Sequence, residues 1–531
     1  MTSAVLDQKS PSPPPPPGRA GKGSPWLTML AVALGVMVVG LDATVVSIAN
    51  PKIAEHFKAD LSDLQWVTNG YLLALAVLLI PAGKLADRFG RKKIFLIGVV
   101  AFTLASMGVG FASSIGMVIG WRVVQGIGGA LLQPAALAII RNTFPAEKLN
   151  MAIGLFSATV GLSIASGPVV GGLLVEHADW RWVFFVNAPV AVVGLFVGVW
   201  VIRESRDEES DGSFDLTGIV LLIGALFGLV WGLIKAQEYG FGDKTPIISF
   251  IAAGVLFVLF FIREAMARKP LLPLALFKSL PLSIGTLLMI GGFFAMFGSL
   301  FFLMLWMQNV HGMSPIEAGV RVLPMTGVML LASPLAGLLT QKFGPRPPLV
   351  IGMLTLAGSL YAFSRFEVET TYSAIWPWLT LFGVSFSLVM VAGTEAIIGN
   401  APARLAGIAG GLQQTAGQLG GVLGTSILGV LLVNRVGDVL APDLIKAGVP
   451  EQMANAPELA QAIPFVAQGI APINEKVPVE LHAPITTGAH NAFMEGFSHS
   501  LTVAAIVAVA GAVAALLVRK GQGSGGGVVH M

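Results

Sequence analysis

The chain has 531 residues, of which 55% are hydrophobic and only 11% charged, with a mean hydropathy of +0.80. Soluble domains carry about 25% charged residues, so this composition excludes a soluble globular protein and identifies an integral membrane protein. A net charge of +3 is too small to recruit a nucleic acid, and the absence of cysteine excludes disulfides, cysteine-ligated zinc and thiol catalysis.

Residues 1–25 are polar and proline-rich, with Pro13 to Pro17 in one run, and read as a disordered cytoplasmic tail rather than a signal peptide. Apolar stretches long enough to cross about 30 Å at about 1.5 Å per residue then follow. They are residues 27–49, 64–82, 94–112, 116–140, 150–174, 183–202, 216–235, 246–263, 282–306, 320–340, 348–364, 374–398, 405–433 and 492–518, which makes fourteen spans. Between the second and third, residues 83–93 read as a tight loop, and Lys84, Arg88, Arg91, Lys92 and Lys93 hold it on the cytoplasmic side. With the amino terminus inside, about 21 Lys and Arg residues fall in the cytoplasm and about 10 outside, which favours an even helix number with both termini inside. The stretch 434–490 is long, rich in Ala and Pro, and external; it is either a lid or a disordered flap.

Two stretches repeat at nearly one offset. Gly83, Leu85, Phe89 and Gly90 recur about 254 positions later as Gly337, Leu339, Phe343 and Gly344, and Gly154, Gly167 and Gly171 recur as Gly407, Gly420 and Gly424. The offset exceeds the length of the first half, which leaves room for two inserted helices. The expected architecture is an all-α membrane protein with a six-helix bundle over 26–203, a two-helix insert over 204–280, a second six-helix bundle over 281–518 and a cytoplasmic tail over 519–531.

The loop Gly83-Lys84-Leu85-Ala86-Asp87-Arg88-Phe89-Gly90-Arg91-Lys92-Lys93 resembles the signature between helices 2 and 3 of the major facilitator superfamily. Three further stretches are similar to the fourteen-helix drug/proton antiporter branch: Leu41-Asp42-Ala43-Thr44-Val45-Val46 in the first helix, Gly154 with Gly167-Pro168-Val169-Val170-Gly171-Gly172 in the fifth, and Trp180-Arg181-Trp182 through Asn187-Ala188-Pro189 entering the sixth. Ser163 stands where the fifth-helix antiporter motif usually has glycine. The stretch Arg122-Val123-Val124-Gln125-Gly126-Ile127-Gly128-Gly129 resembles the superfamily's fourth-helix motif. The resemblance implies two bundles that rock about a midplane site and export a drug-like or antibiotic-like amphipathic small molecule in exchange for protons. The chain is then a monomer in the cell membrane, without cofactor or metal. The alternatives are export of an endogenous metabolite, such as a siderophore, a lipid or a self-made antibiotic, and a sensor or enzyme that keeps the fold without transport.

The resemblance also implies a cytoplasmic gate of Gly83, Asp87, Arg88, Gly90 and Arg91, in which Asp87 meets the amino end of the helix starting near Gly407. Free N–H groups there attract a carboxylate. The repeat partner of Asp87 is Gln341, so one half alone keeps the charge. Asp42 lies about two-thirds through the first span, where a carboxylate is costly unless it faces a partner or water, which makes it a proton-site candidate beside the alternative of a structural carboxylate. Arg122 cannot lose its proton and is its natural partner, the alternative being an arginine that snorkels to the interface. Neither has a charged repeat counterpart: Met296 and Trp376 stand at the offset positions. Glu395, near the cytoplasmic end of the twelfth span, is either a further proton or substrate site or a solvated end residue. The histidines are assigned to loops, tails or helix ends, which argues against a histidine relay. No phosphate-binding loop occurs, which argues against direct ATP drive.

Overall fold

The computed structural model describes residues 24–206, 215–267, 270–402, 405–473 and 477–518. Apart from residues 24 and 25, the two expected tails lie outside the described residues. Fourteen long helices run through them: α1 (Pro25–Phe57), α2 (Leu61–Phe89), α3 (Arg91–Gly110), α4 (Ile115–Thr143), α5 (Ala146–His177), α6 (Trp182–Val201), α7 (Leu216–Tyr239), α8 (Lys244–Met266), α9 (Leu280–Val310), α10 (Pro315–Phe343), α11 (Arg346–Phe363), α12 (Tyr372–Ile398), α13 (Ala406–Lys446) and α14 (His482–Ala515). Among the described residues, thirteen helices are long and apolar enough to cross a membrane. The other, α11, is 18 residues long and opens on Arg346-Pro347-Pro348, which lowers its hydropathy without preventing it from packing as a crossing helix between α12 and α14.

Local chemistry sets the helix starts. Asp60 caps α2 by accepting from the Asp63 amide at 2.9 Å, Asp215 caps α7 through the Gly218 amide, Asp243 caps α8 through the Thr245 amide, and Ser114 and Ser314 do the same for α4 and α10. Hydrogen bonding to Thr245, led by its backbone amide, holds the Asp243 carboxyl below the usual carboxylate range. Because the helices alternate in direction, α1 begins and α14 ends on one face, here the terminal face.

The first six helices pack among themselves through α3–α4, α2–α4, α1–α5 and α1–α6, and the last six through α9–α13, α10–α12, α13–α14 and α11–α14. The architecture is two six-helix bundles plus two inserted helices. The repeat is visible in the packing. Gly126 of α4 lies against the Tyr71 carbonyl of α2, as Gly383 of α12 lies against the Met325 carbonyl of α10. In the inserted pair, α8 turns Ile248, Ile251, Val255 and Val258 outward, while α7 lies along the seam between α2 and α13. The Trp66 ring sits 5.7 Å from Phe227 and 5.8 Å from Trp231, and Lys84 Nζ donates to the Pro270 carbonyl at 3.1 Å.

Two boundaries expected from the sequence are corrected. Residues 83–93 are not a loop: α2 continues through Phe89 and α3 starts at Arg91, so the turn is Gly90 alone, at φ +111°. Charged residues at a helix end were read as a loop because they stop the apolar run, but the backbone stays helical until a residue free of Cβ can reverse it. The same device recurs at the repeat position, where Gly344 has φ +81°. The stretch 434–490, expected to be a long external loop, is likewise shorter and folded. α13 runs on to Lys446, α14 starts at His482, and the segment between them carries the short helices Glu451–Ala454 and Ile463–Val466. Ala454, Val466, Ala467 and Gln468 are buried in that segment, and Asn309 Nδ2 of α9 donates to the Gln468 carbonyl at 2.7 Å. It is a packed cap and not a flap.

Candidate functional site

Asp42 of α1 and Arg122 of α4 meet. Arg122 NH1 lies 2.5 Å from Asp42 Oδ2, with both side chains almost wholly buried. Gln125, one turn beyond Arg122, closes the group: its Nε2 donates to Asp42 Oδ1 at 2.9 Å while its Oε1 accepts from Arg122 NH1 at 2.8 Å. Arg122 Nε donates to the Val67 carbonyl of α2 at 3.0 Å, and the guanidinium lies over the Tyr71 ring at 4.2 Å. Both carboxylate oxygens and the cation are thus satisfied by protein groups on three helices, the condition under which a buried pair is tolerated. Tyr71 Oη is buried without a hydrogen-bond partner. The arrangement can hold a proton in exchange for an ion pair: a proton on Asp42 removes the charge that Arg122 answers, and the guanidinium keeps its carbonyl, amide and ring partners.

Gln125 and Tyr71 were not singled out in the sequence. The signal for Gln125 is its i+3 spacing from Arg122, which puts both on one helix face. Tyr71 carried none, because an aromatic residue in an apolar run reads as core.

The glycine- and proline-rich stretch of α5 does two jobs. A Cβ at Gly167 would meet Thr44 Oγ1 of α1, and one at Gly172 would meet the backbone of Pro315 and Ile316 at the start of α10, each closer than 3 Å. Pro168 contributes to the second contact, its carbonyl lying where a Cβ on Gly319 would go, while Gly171 packs on Val45. Gly154 lies on α5 nearer the terminal face. Ser163, the departure from the motif, faces Gly40 of α1, so the glycine that gives α1 and α5 room sits on the partner helix.

The expected gate residues make the following described contacts. Asp87 pairs with Arg91 one turn on, at 2.8 Å, and Gly83 faces Pro134 of α4. Arg88 lies over the Phe89 ring at 5.0 Å. The amino end of α3 is capped by Glu204, whose carboxylate accepts from the amides of Lys92 and Lys93 at 3.1 and 3.2 Å. A Cβ on Gly90 would collide with that carboxylate. The side chains at Ala406 and Gly407, where Asp87 was expected to dock, lie outside the described residues. A carboxylate on a helix start in the other half does occur on the opposite face. Glu176, at the end of α5, accepts from Ser314 Oγ at 2.6 Å and from the Ile316 amide at 3.0 Å. Sequence reading missed Glu176 because it marks the end of an apolar run.

Glu395 is not brought to the ion pair; it is exposed in the last turn of α12. His490 and His499 lie within α14, which begins earlier than expected, rather than in loops or at its end. Among the described residues no three His, Cys, Asp or Glu side chains are grouped closely enough to hold a metal ion.

Residues 32–425 match the sequence profile described as Major Facilitator Superfamily. The chain is 48% identical to the tetracenomycin C resistance and export protein of Streptomyces glaucescens over 95% of this chain and 94% of that one. It is 33% identical to the multidrug resistance protein Stp of Mycobacterium tuberculosis, over 91% of each. Among solved structures, it superposes on a bacterial homologue of the human lysosomal transporter Spinster with a TM-score of 0.61, at 20% identity, over 94% of this chain and 97% of that one.

Proposed function

The chain belongs to the major facilitator superfamily and is a multi-pass membrane transporter, and on that premise we propose that it exports drug-like or antibiotic-like small molecules in exchange for protons. The observation that carries this reading is the buried group of Asp42, Arg122 and Gln125. Arg122 stays cationic at any working pH, so a proton arriving at Asp42 changes the net charge of the site and opens the pair. Two bundles, over 26–203 and 281–518, rock about a midplane site, and the insert over 204–280 moves at their seam. Both termini lie in the cytoplasm of the cell membrane. The face on which Glu176 meets Ser314 then lies outward, and Gly83, Asp87, Arg88, Gly90 and Arg91 belong to the cytoplasmic gate.

The energetics support one proton per cycle. About 2.3 kcal/mol per charge at 100 mV plus about 1.4 kcal/mol for one pH unit sustains a concentration ratio of several hundredfold. Identity of 48% to a resistance and export protein favours an antibiotic as cargo, including one made by the host cell itself. In proteoliposomes with an imposed pH gradient, the wild-type chain exports tetracenomycin C or another drug from a susceptibility panel. Asp42→Asn loses pH-driven export while still binding a fluorescent substrate in detergent. Full pH-driven export by Asp42→Asn would end the assignment and move it to Glu395.

A further inference from the structure

On its opposite-face half, α2 carries two sets of polar contacts. The Val67 carbonyl and the Tyr71 ring hold Arg122. Gln65 and Asn69 reach the other way, to α13. Gln65 Nε2 donates to the Thr425 carbonyl at 3.0 Å, Asn69 Nδ2 donates to Ser426 Oγ at 2.9 Å, and Thr425 Oγ1 donates to Asn69 Oδ1 at 2.6 Å. All four side chains are fully buried. At about 100° per residue, positions 65 and 69 share one face of α2, and positions 67 and 71 share a face about 200° away. A single helix is thus gripped on one side by the ion pair of its own bundle and on the other by the second bundle.

We propose that Gln65, Asn69, Thr425 and Ser426 form a clasp that holds the two bundles together on the opposite face. We further propose that α2 joins this clasp to the Asp42–Arg122 pair, so that loss of the charge on Asp42 loosens it. The proposal rests on the transport reading above and adds the positioning residues through which the proton acts. Asn69 uses both its carbonyl and its amide on α13, so parting the helices strips the Asn69 amide and the Ser426 hydroxyl of these partners in an apolar seam until water enters, while the Thr425 hydroxyl keeps the Gly421 and Val422 carbonyls of its own helix. Such a contact favours fully closed or fully open over intermediate positions. Arg122 from α4 and Tyr71 from α2 are the charged and titratable groups described against Asp42, with Gln125 beside them. Helices α5, α6 and α9 meet α1 through Gly167, Gly194 and Gln308, which carry no charge. A proton on Asp42 frees Arg122 to shift, and its bonds to the Val67 carbonyl and the Tyr71 ring carry the shift into α2.

The test uses the full-length chain, which has no native cysteine, with spin labels on cysteines replacing Lys58 and Glu369, one on each half at the opposite face. Thr425→Val keeps the side-chain shape and removes the hydroxyl. It is expected to raise the open population about threefold, the effect of one average hydrogen bond between membrane helices. Gln65→Met, which removes a different donor, should act in the same direction and serves if Thr425→Val does not fold. Asp42→Asn should also raise the open population, and its combination with Thr425→Val should give less than the product of the two effects. Unchanged distances in both Thr425→Val and Gln65→Met would overturn the clasp. Purely multiplicative effects would overturn its link to Asp42. The distances need neither substrate nor gradient, so a failure of export leaves this measurement intact, and the two readings fail separately.

Discussion

The two halves have the same helix packing and opposite interiors. Where the first half places Asp42, Tyr71, Arg122 and Gln125, the second has Met296 and Met325 at the sequence offset and, in the packing register that matches Gly126 to Gly383, Leu379 and Phe382. Met296, Met325, Leu379 and Phe382 are all buried. The interior of the second half is a column of rings instead: Trp306 stacks on Phe366 at 5.5 Å and on Phe497 at 6.1 Å, and Phe497 stacks on Phe493. The difference teaches that the shared scaffold needs neither the charges nor their partners. What keeps both halves standing is small residues at helix crossings and a glycine at each sharp turn. The ion pair is an addition to a fold that holds without it.

The largest effect that would break or confirm this contrast comes from unpairing the charges. Arg122→Leu leaves the Asp42 carboxylate buried with Gln125 as its remaining described partner, and breaking a buried pair in this way costs about 3–5 kcal/mol. Thermal unfolding in detergent should show the loss. Asp42→Met with Arg122→Leu, which gives the first half the kind of interior the second half already has, should recover most of that stability while pH-driven export stays absent. A single Arg122→Leu variant as stable as wild type would show that the pair is solvated and that the two interiors differ less than their side chains.

The same contrast explains what the sequence made legible. Apolar length and the glycine repeat gave the helices, their number and the two-bundle plan, because crossing a bilayer and packing backbones closely leave marks in composition. Asp42 and Arg122 stood out for the same reason, as charges in apolar runs. Their closure by Gln125 and Tyr71 did not, since a neutral amide or ring in a membrane helix has no cost large enough to notice. Contacts between distant segments were likewise silent. Asn69 with Thr425 and Glu176 with Ser314 depend on how the bundles are set against each other, and Glu204 with the start of α3 on how the chain after α6 folds back onto the first bundle. Helix ends were misjudged wherever polarity and helicity part company, as at residues 83–93 and 434–446.

A smaller effect sharpens the comparison at the repeated turn. Gly90 and Gly344 both have positive φ, so alanine at either position should cost about 1–3 kcal/mol in backbone strain. Alanine at Gly90 must in addition displace the Glu204 carboxylate from the amides of Lys92 and Lys93. Gly90→Ala should therefore lower the unfolding temperature more than Gly344→Ala. In a Glu204→Gln background, where the carboxylate's charge is already gone from the start of α3, the gap between the two should narrow. Equal losses in the original background would mean that Glu204 gives way without cost and that the two turns are energetically the same.

The smallest effect concerns the second half, where the described residues hold no ion pair buried on both sides like Asp42–Arg122, and protonation meets the ring column instead. His311 follows the last, wider turn of α9, with its ring edge-on to Trp306 at 4.7 Å and its Nε2 buried without a partner. Burial first, and the nearby positive charge of Arg321 second, push its pKa below the usual 6.5. The sign follows from which state takes the proton first. Above about pH 6.5 the ring is neutral in both folded and unfolded chains and costs nothing; as the pH falls below that value the unfolded chain protonates first, so stability is lost until the pH passes the lowered folded value. His311 is only partly buried, so the loss is small, at most about 1 °C in unfolding temperature for a chain of this size. His311→Gln should remove that slope between pH 6.5 and pH 5 and leave pH-driven export as it was, whereas Asp42→Asn should do the reverse. Loss of pH-driven export in His311→Gln would place a working proton site in the half that the structure shows filled with rings.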